Sequence, residues 1–186
     1  MPLFMDLRGR KAAVFGAGPV GLRKAMFLSR EAEVIIVDRQ AKSVPAGIVL
    51  VKGEALDNLH IIDGSDLVVA ATGDLTSDEA IHRYAKDRGR PCNRSDRPGD
   101  FLIPSMVEKR NYTLAVSTLG RSPGMSRHIR LLLERELPPS LEDMVDLSER
   151  LRDHLRSALP DPAEREGRIR LMLDDLNSRG RGEDLS

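Results

Sequence analysis

Val14-Phe15-Gly16-Ala17-Gly18-Pro19-Val20-Gly21 joins a short apolar run, Lys11–Phe15, to a segment of helical period. Three glycines at this spacing meet three demands on the backbone. The first permits a tight turn, the second lets main chain approach a diphosphate, and the third lets helix and strand pack closely. N–H groups at a helix start complement phosphate charge, and Pro19 suits a first turn, where its missing N–H costs nothing. A second apolar run, Glu33–Val37, ends in Asp38, 22 residues beyond Gly16. An acid there accepts hydrogen bonds from a ribose diol and repels a 2′-phosphate. The pattern predicts an NAD site held by Gly16, Ala17, Gly18, Pro19, Val20, Gly21 and Asp38. Arg39 beside the acid weakens the discrimination against NADP.

Outward from this turn, the runs Ile48–Val51 and Leu67–Ala71 and a weaker one, Pro91–Asn93, are apolar on both faces. They alternate with helical segments: Gly16–Arg30, with Leu22, Ala25, Met26 and Ser29 on one face, and Thr76–Arg88, with Ala80, Ile81, Tyr84 and Ala85 inward. This order predicts an α/β chain with a Rossmann-type doubly wound parallel sheet. Past Asp96-Arg97-Pro98-Gly99-Asp100 the character changes. Phe101–Val107 and Tyr112–Ser117 read as extended, and Pro123–Leu137, Leu141–Leu159 and Pro162–Asn177 as helices, punctuated by prolines. The expected division is a nucleotide-binding domain over 1–110, a connector and dimerisation segment over 111–137, a helical region over 138–178 and a disordered tail over 179–186.

Composition narrows the function classes. The 186 residues carry 29 Lys+Arg against 29 Asp+Glu, so no net field draws the chain to nucleic acid or acidic membranes. The single cysteine, Cys92, excludes an internal disulfide framework and reads as a small buried hydrophobe in a reducing compartment. Leu67–Ala71, the longest apolar run, falls far short of the roughly 20 residues of a membrane helix. The N-terminus lacks a signal peptide's apolar stretch. The expectation is a cytoplasmic protein with neither membrane nor nucleic-acid partner. His60, His82, His128 and His154 are scattered, and no resident metal site is expected.

Several stretches together carry a resemblance: Pro2-Leu3-Phe4-Met5-Asp6-Leu7-Arg8-Gly9-Arg10-Lys11, then Arg23-Lys24 behind the glycine turn, Ala70-Ala71-Thr72-Gly73-Asp74, Asn93-Arg94-Ser95-Asp96-Arg97-Pro98, Phe101–Ser105 and Leu114–Pro123, followed by Arg127 and Arg130. They resemble the precorrin-2 dehydrogenase (sirohydrochlorin-forming) module of siroheme synthases over roughly residues 2–155. The likeness does not extend to the uroporphyrinogen methyltransferase domain fused to some relatives. The chain departs from the family pattern at Gly73, where an acid is usual, at Asp78, where Asn is usual, and at Leu119, where Gly is usual.

The resemblance implies NAD-dependent oxidation of precorrin-2 to sirohydrochlorin in siroheme biosynthesis; some relatives also insert ferrous ion. It places Asp96 as the acid/base, Ala71 and Thr72 against the cofactor, and Asn93, Ser117, Thr118, Arg121, Ser122, Arg127 and Arg130 against a tetrapyrrole bearing eight carboxylates. It also implies a homodimer built through the connector, with Thr113–Val116 and Leu131–Leu133 supplying apolar surface. Read without the family, Asp96 is a turn former and each arginine part of a solvated helix face. Two other readings share the glycine turn. A fragment of an FAD-binding oxidoreductase would purify yellow, and an NAD-sensing regulatory module without catalysis would leave Asn93–Pro98 and Ser117–Pro123 unexplained.

Overall fold

The computed structural model describes residues 2–180. It divides into two compact units at Ile103–Pro104. The first contains strands β1 (Lys11–Phe15), β2 (Glu33–Val37), β3 (Ile48–Val51), β4 (Leu67–Ala70) and β5 (Cys92–Arg94), with helices α1 (Pro19–Leu28) and α2 (Leu75–Asp87). All five strands are parallel, in the order β3-β2-β1-β4-β5. Strand order reverses between β1 and β4, which parts the loops at their carboxyl ends and opens a crevice there.

The register explains the uninterrupted apolar runs. Ala13 lies opposite Ile35 and Val68, so β1 is flanked on both sides and covered on both faces. Ala12, Val14, Val34, Ile36 and Val69 pack with Ala25 and Leu28 of α1. On the other face Ala13, Phe15, Val68 and Ala70 pack with Ile81 and Ala85 of α2. Helix α1 begins at Pro19 rather than Gly16, and its inward residues are Gly21, Ala25 and Leu28. Met26, expected inside, is 53% exposed because the inner face is rotated toward Leu28. The kinked 3-10 segment Leu56–Gly64 escaped the sequence reading; Ile62 is its one buried residue, too few for a helical period to register.

The edge strand β5 is covered by the chain's own return. Asp100 N–H donates to the Cys92 carbonyl (2.8 Å), and the Asp100 carboxylate accepts from Cys92 N–H (2.9 Å). Cys92 is thereby fully buried, and burial pushes its thiol up to about 12.

The second unit pairs β6 (Ser105–Glu108) antiparallel with β7 (Thr113–Val116), followed by α3 (Pro123–Glu136), α4 (Leu141–Ala158) and α5 (Pro162–Gly180). Because β6 pairs with β7, residues 104–110 belong with this unit and not, as expected, with the first. Asn111 Nδ2 donates to the Glu142 carbonyl (2.7 Å) and to Asp146 Oδ1 (2.6 Å), tying the hairpin turn to α4. Helix α5 runs past Asn177 to Gly180, so 179–180 are helical rather than tail. Residues 181–186 of the expected tail lie outside the described residues. Among the described residues no helix is long and apolar enough to cross a membrane.

Candidate dinucleotide site and its neighbouring carboxylate

Gly16 sits at φ +105°, and a Cβ there would collide with the Ala71 carbonyl at the end of β4. A Cβ at Gly21 would strike the Gly16 carbonyl. At Gly18, the N-cap of α1, an added Cβ would meet nothing within 4 Å. The first and third glycines are therefore demanded by the fold. The second is bare main chain facing open space at a helix start, a cradle that suits a diphosphate.

Asp38 leaves the end of β2 beside this loop. Its Oδ2 accepts from Ala17 N–H (2.7 Å), and its Oδ1 accepts from the N–H groups of Gln40 and Ala41 (2.7 Å each). Burial pushes this carboxyl up, but the three N–H donors and the neighbouring Arg39 outweigh it and hold the group below its ordinary value. A cleft of about 310 Å³ opens here, lined by Gly16, Asp38, Arg39, Glu54, Thr72 and Asp74 among others. Arg39 pairs with Glu54 at 3.0 Å, so the cation expected to soften the choice against a 2′-phosphate is already engaged by an acid. Glu54 was not legible in sequence, since only the fold brings the loop after β3 beside β2. We expect Asp38→Ala to weaken NAD more than NADP in calorimetric titrations; equal weakening would remove the ribose contact.

Thr72 closes the β4 side. Its N–H (3.0 Å) and hydroxyl (2.7 Å) both donate to Asp78 Oδ1, from the buried face of α2. Asp78, at the position where the family usually carries Asn, thus fixes the turn after β4. Asp74 caps α2 by accepting from Ser77 N–H (2.8 Å).

At the end of β5 the sequence had singled out Asn93 and Asp96. Asn93 is 3% exposed; its Nδ2 donates to the Phe101 carbonyl (2.7 Å) and so brackets the returning chain, while its buried Oδ1 has no hydrogen-bond partner. Asp96 is gripped from two sides. Arg94 donates through Nε to Oδ1 (2.9 Å) and through Nη2 to Oδ2 (2.8 Å), and Arg97 Nε donates to Oδ2 (3.0 Å). The Arg94 side chain is wholly buried, that of Asp96 only 16% exposed, and Glu79 of α2 takes the remaining arm of Arg94. The fork from Arg94 holds the Asp96 carboxyl well below the carboxylate range, against the opposing pull of burial. Lys24 of α1 donates to Ser95 Oγ (2.9 Å), which links the glycine helix to the Asp96 loop; burial lowers its amine. Arg94 and Lys24 lie within the stretches that carry the family resemblance but are not among the site residues it implies. An arginine two residues before the key acid was the available signal.

The remaining predicted substrate residues lie in the second unit. Ser122 caps α3, its Oγ accepting from Met125 N–H (3.3 Å), while Thr118 Oγ1 donates to the Ser122 carbonyl (2.9 Å). Ser117 Oγ accepts from Leu119 N–H (3.1 Å). Leu119, where the family pattern usually has Gly, holds φ +55°, a left-handed conformation that favours glycine. Arg121 and Arg127 are exposed, whereas Arg130 is engaged by Glu134 one turn along α3. Among the described residues no group of three or more His, Cys, Asp or Glu assembles to hold a metal.

Parallel topology, a glycine turn opening α1 and an acid at the end of β2 define a dinucleotide-binding α/β module of the Rossmann type. A family model described as "Putative NAD(P)-binding" matches residues 3–105. A precorrin-2 dehydrogenase of Methanosarcina barkeri is 30% identical over 178 residues, 89% of this chain and 79% of its own length. A siroheme synthase of Pseudomonas entomophila is 33% identical over 177 residues, and the chain spans only 38% of it. Among solved structures, SirC, precorrin-2 dehydrogenase, superposes with a TM-score of 0.71 over 94% of this chain and 90% of that one; at 19% identity this is a likeness of fold. The chain belongs to the precorrin-2 dehydrogenase family.

Proposed function

We infer that this chain oxidises precorrin-2 to sirohydrochlorin with NAD, a step of siroheme biosynthesis. The observation that carries the reading is a diphosphate cradle and a shielded carboxylate on one sheet edge, in a chain 30% identical to a precorrin-2 dehydrogenase over most of its length. Gly18 and the N–H groups opening α1 hold the diphosphate, and Asp38 holds the adenosine ribose. NAD bound there supplies the hydride acceptor. Asp96 is the carboxylate that faces the reacting macrocycle. The exposed guanidinium groups of Arg121 and Arg127 suit the substrate's carboxylates, and arginine forks pair with them in bidentate fashion. An anaerobic assay with precorrin-2 and NAD, followed at the NADH absorbance, tests the reading. NADH forming only when precorrin-2 is present supports it, and its absence overturns it. Ferrous ion added afterwards asks whether the same protein also makes siroheme.

We also propose a homodimer formed through the second unit. Leu131 and Leu132 on α3 are 46% and 38% exposed, a pair of apolar side chains that a second copy would cover. Leu131→Glu is expected to halve the mass measured by light scattering without lowering helix content. A wild-type monomer at micromolar concentration would sink the proposal. The reduced, buried Cys92 suits a cytoplasmic location.

A further inference from the structure

The Asp96 carboxylate has an unusual keeper. Buried arginines are rare and demand full pairing, because desolvating a guanidinium costs several kcal/mol unless acceptors replace water. Arg94 spends its buried fork on a residue only two positions away, with both carboxylate oxygens engaged at 2.9 and 2.8 Å. The fork's remaining arm is anchored by Glu79 of α2, so the guanidinium plane cannot swing without breaking an ion pair at each end. We propose that Arg94 is a positioning residue that keeps Asp96 ionised and aimed, so that Asp96 acts as a fixed counter-charge to the macrocycle and not as the acceptor of its proton. This rests on the reading of Asp96 given above.

The chemistry favours a fixed charge. In the oxidation the electron pair of a C–H bond leaves the macrocycle as hydride and reduces NAD to NADH. The macrocycle is left with one positive charge, shared over its pyrrole nitrogens. An N–H of that cation is acidic, and its proton departs to water, restoring neutrality. The demanding moment is the departure of hydride, when a negative charge must already be in place; a preorganised charge in a sheltered site stabilises such a state without reorganisation. A carboxylate gripped by two arginines accepts a proton poorly but supplies that charge well. The groups facing it are Arg94 from β5, Arg97 from the loop that follows and Lys24 from α1. From α2 comes Glu79, which pairs with both Arg94 and Arg97, with His82 beyond it, while Asp78 of the same helix acts on Lys24. The nearest of these are cations, which agrees with a carboxyl held well below its ordinary range.

The test uses the full-length protein. Carbon-13 labelling of aspartate should show Asp96 ionised down to pH 4 in the wild type, and titrating near the ordinary carboxylate value of about 4 in Arg94→Met. In the anaerobic assay, Arg94→Met should lower kcat about 10- to 100-fold, since a misplaced group costs that much. It should leave NAD affinity unchanged and introduce an acid limb that the wild-type profile lacks. Arg94→Lys, which keeps the charge but loses the fork, should recover part of the rate at neutral pH. If Arg94→Met fails to fold, the wild-type titration decides: protonation of Asp96 between pH 4 and 5 overturns the proposal. Arg94 variants at full rate from pH 5 to 9, beside an inactive Asp96→Asn, overturn the positioning role alone. A fully active Asp96→Asn, or a wild type that never reduces NAD with precorrin-2, overturns the parent reading together with it.

Discussion

Asp96→Asn should cut precorrin-2-dependent NAD reduction about 100- to 1000-fold while NAD binds as before, the loss typical of removing one preorganised electrostatic contact at the reacting centre. The substitution is nearly isosteric. Its amide oxygen still accepts from Arg94, and Glu79 still pairs with that arginine, so the loop keeps much of its frame. What disappears is the negative charge. The Asp38 carboxylate is held by the N–H groups of Ala17, Gln40 and Ala41, whereas that of Asp96 is held by Arg94 and Arg97, which is why binding and turnover should separate. Fluorescence titration with NAD and stopped-flow rates under anaerobic conditions measure the two quantities. Parallel losses of both, accompanied by a lowered melting temperature, would mean that Asp96 serves the fold.

The glycine loop gives the second large effect, and here sister substitutions should part company. Gly18→Ala places a methyl group into open space, so the melting temperature should stay near that of the wild type. That same methyl occupies the approach of the diphosphate, and NAD affinity should fall by at least about 100-fold, roughly 2.7 kcal/mol. Gly21→Ala drives its methyl into the Gly16 carbonyl, where neither backbone can yield without moving β1 or α1. Overpacking of this kind costs about 1–3 kcal/mol, occasionally more. For Gly21→Ala, thermal unfolding should therefore shift before any ligand is added. If Gly18→Ala destabilises the protein as much as Gly21→Ala does, the distinction between cradle and packing glycine is lost.

Most of the first unit was legible because its signals are local. The runs at 11–15, 33–37 and 48–51 are strands over those same residues, since a parallel strand buried on both faces has to be continuously apolar. Fixed spacing likewise revealed the glycine turn and Asp38. Illegible were the partners that folding alone brings together: Glu54 against Arg39, Asp78 under Thr72, and Lys24 against the Asp96 loop. The bond from Asn93 to the Phe101 carbonyl was illegible for the same reason. A polar residue beside a key acid looks exposed in one dimension, and only the returning chain at Phe101 turns it inward. The helical second unit was readable from its prolines, yet the β6–β7 pairing that moves residues 104–110 into it carries no turn signature strong enough to reveal itself.

The sealed position of Cys92 makes the molecule its own stopwatch. A thiol with no solvent contact and a strongly raised ionisation reacts with maleimide or disulfide reagents only when β5 peels from the sheet. Because the chain has one sulfhydryl, the speed of labelling counts openings of a single strand edge, the same edge that carries the Arg94 fork. Adding NAD, or removing that fork, should then be audible in the labelling rate long before the rest of the domain comes apart.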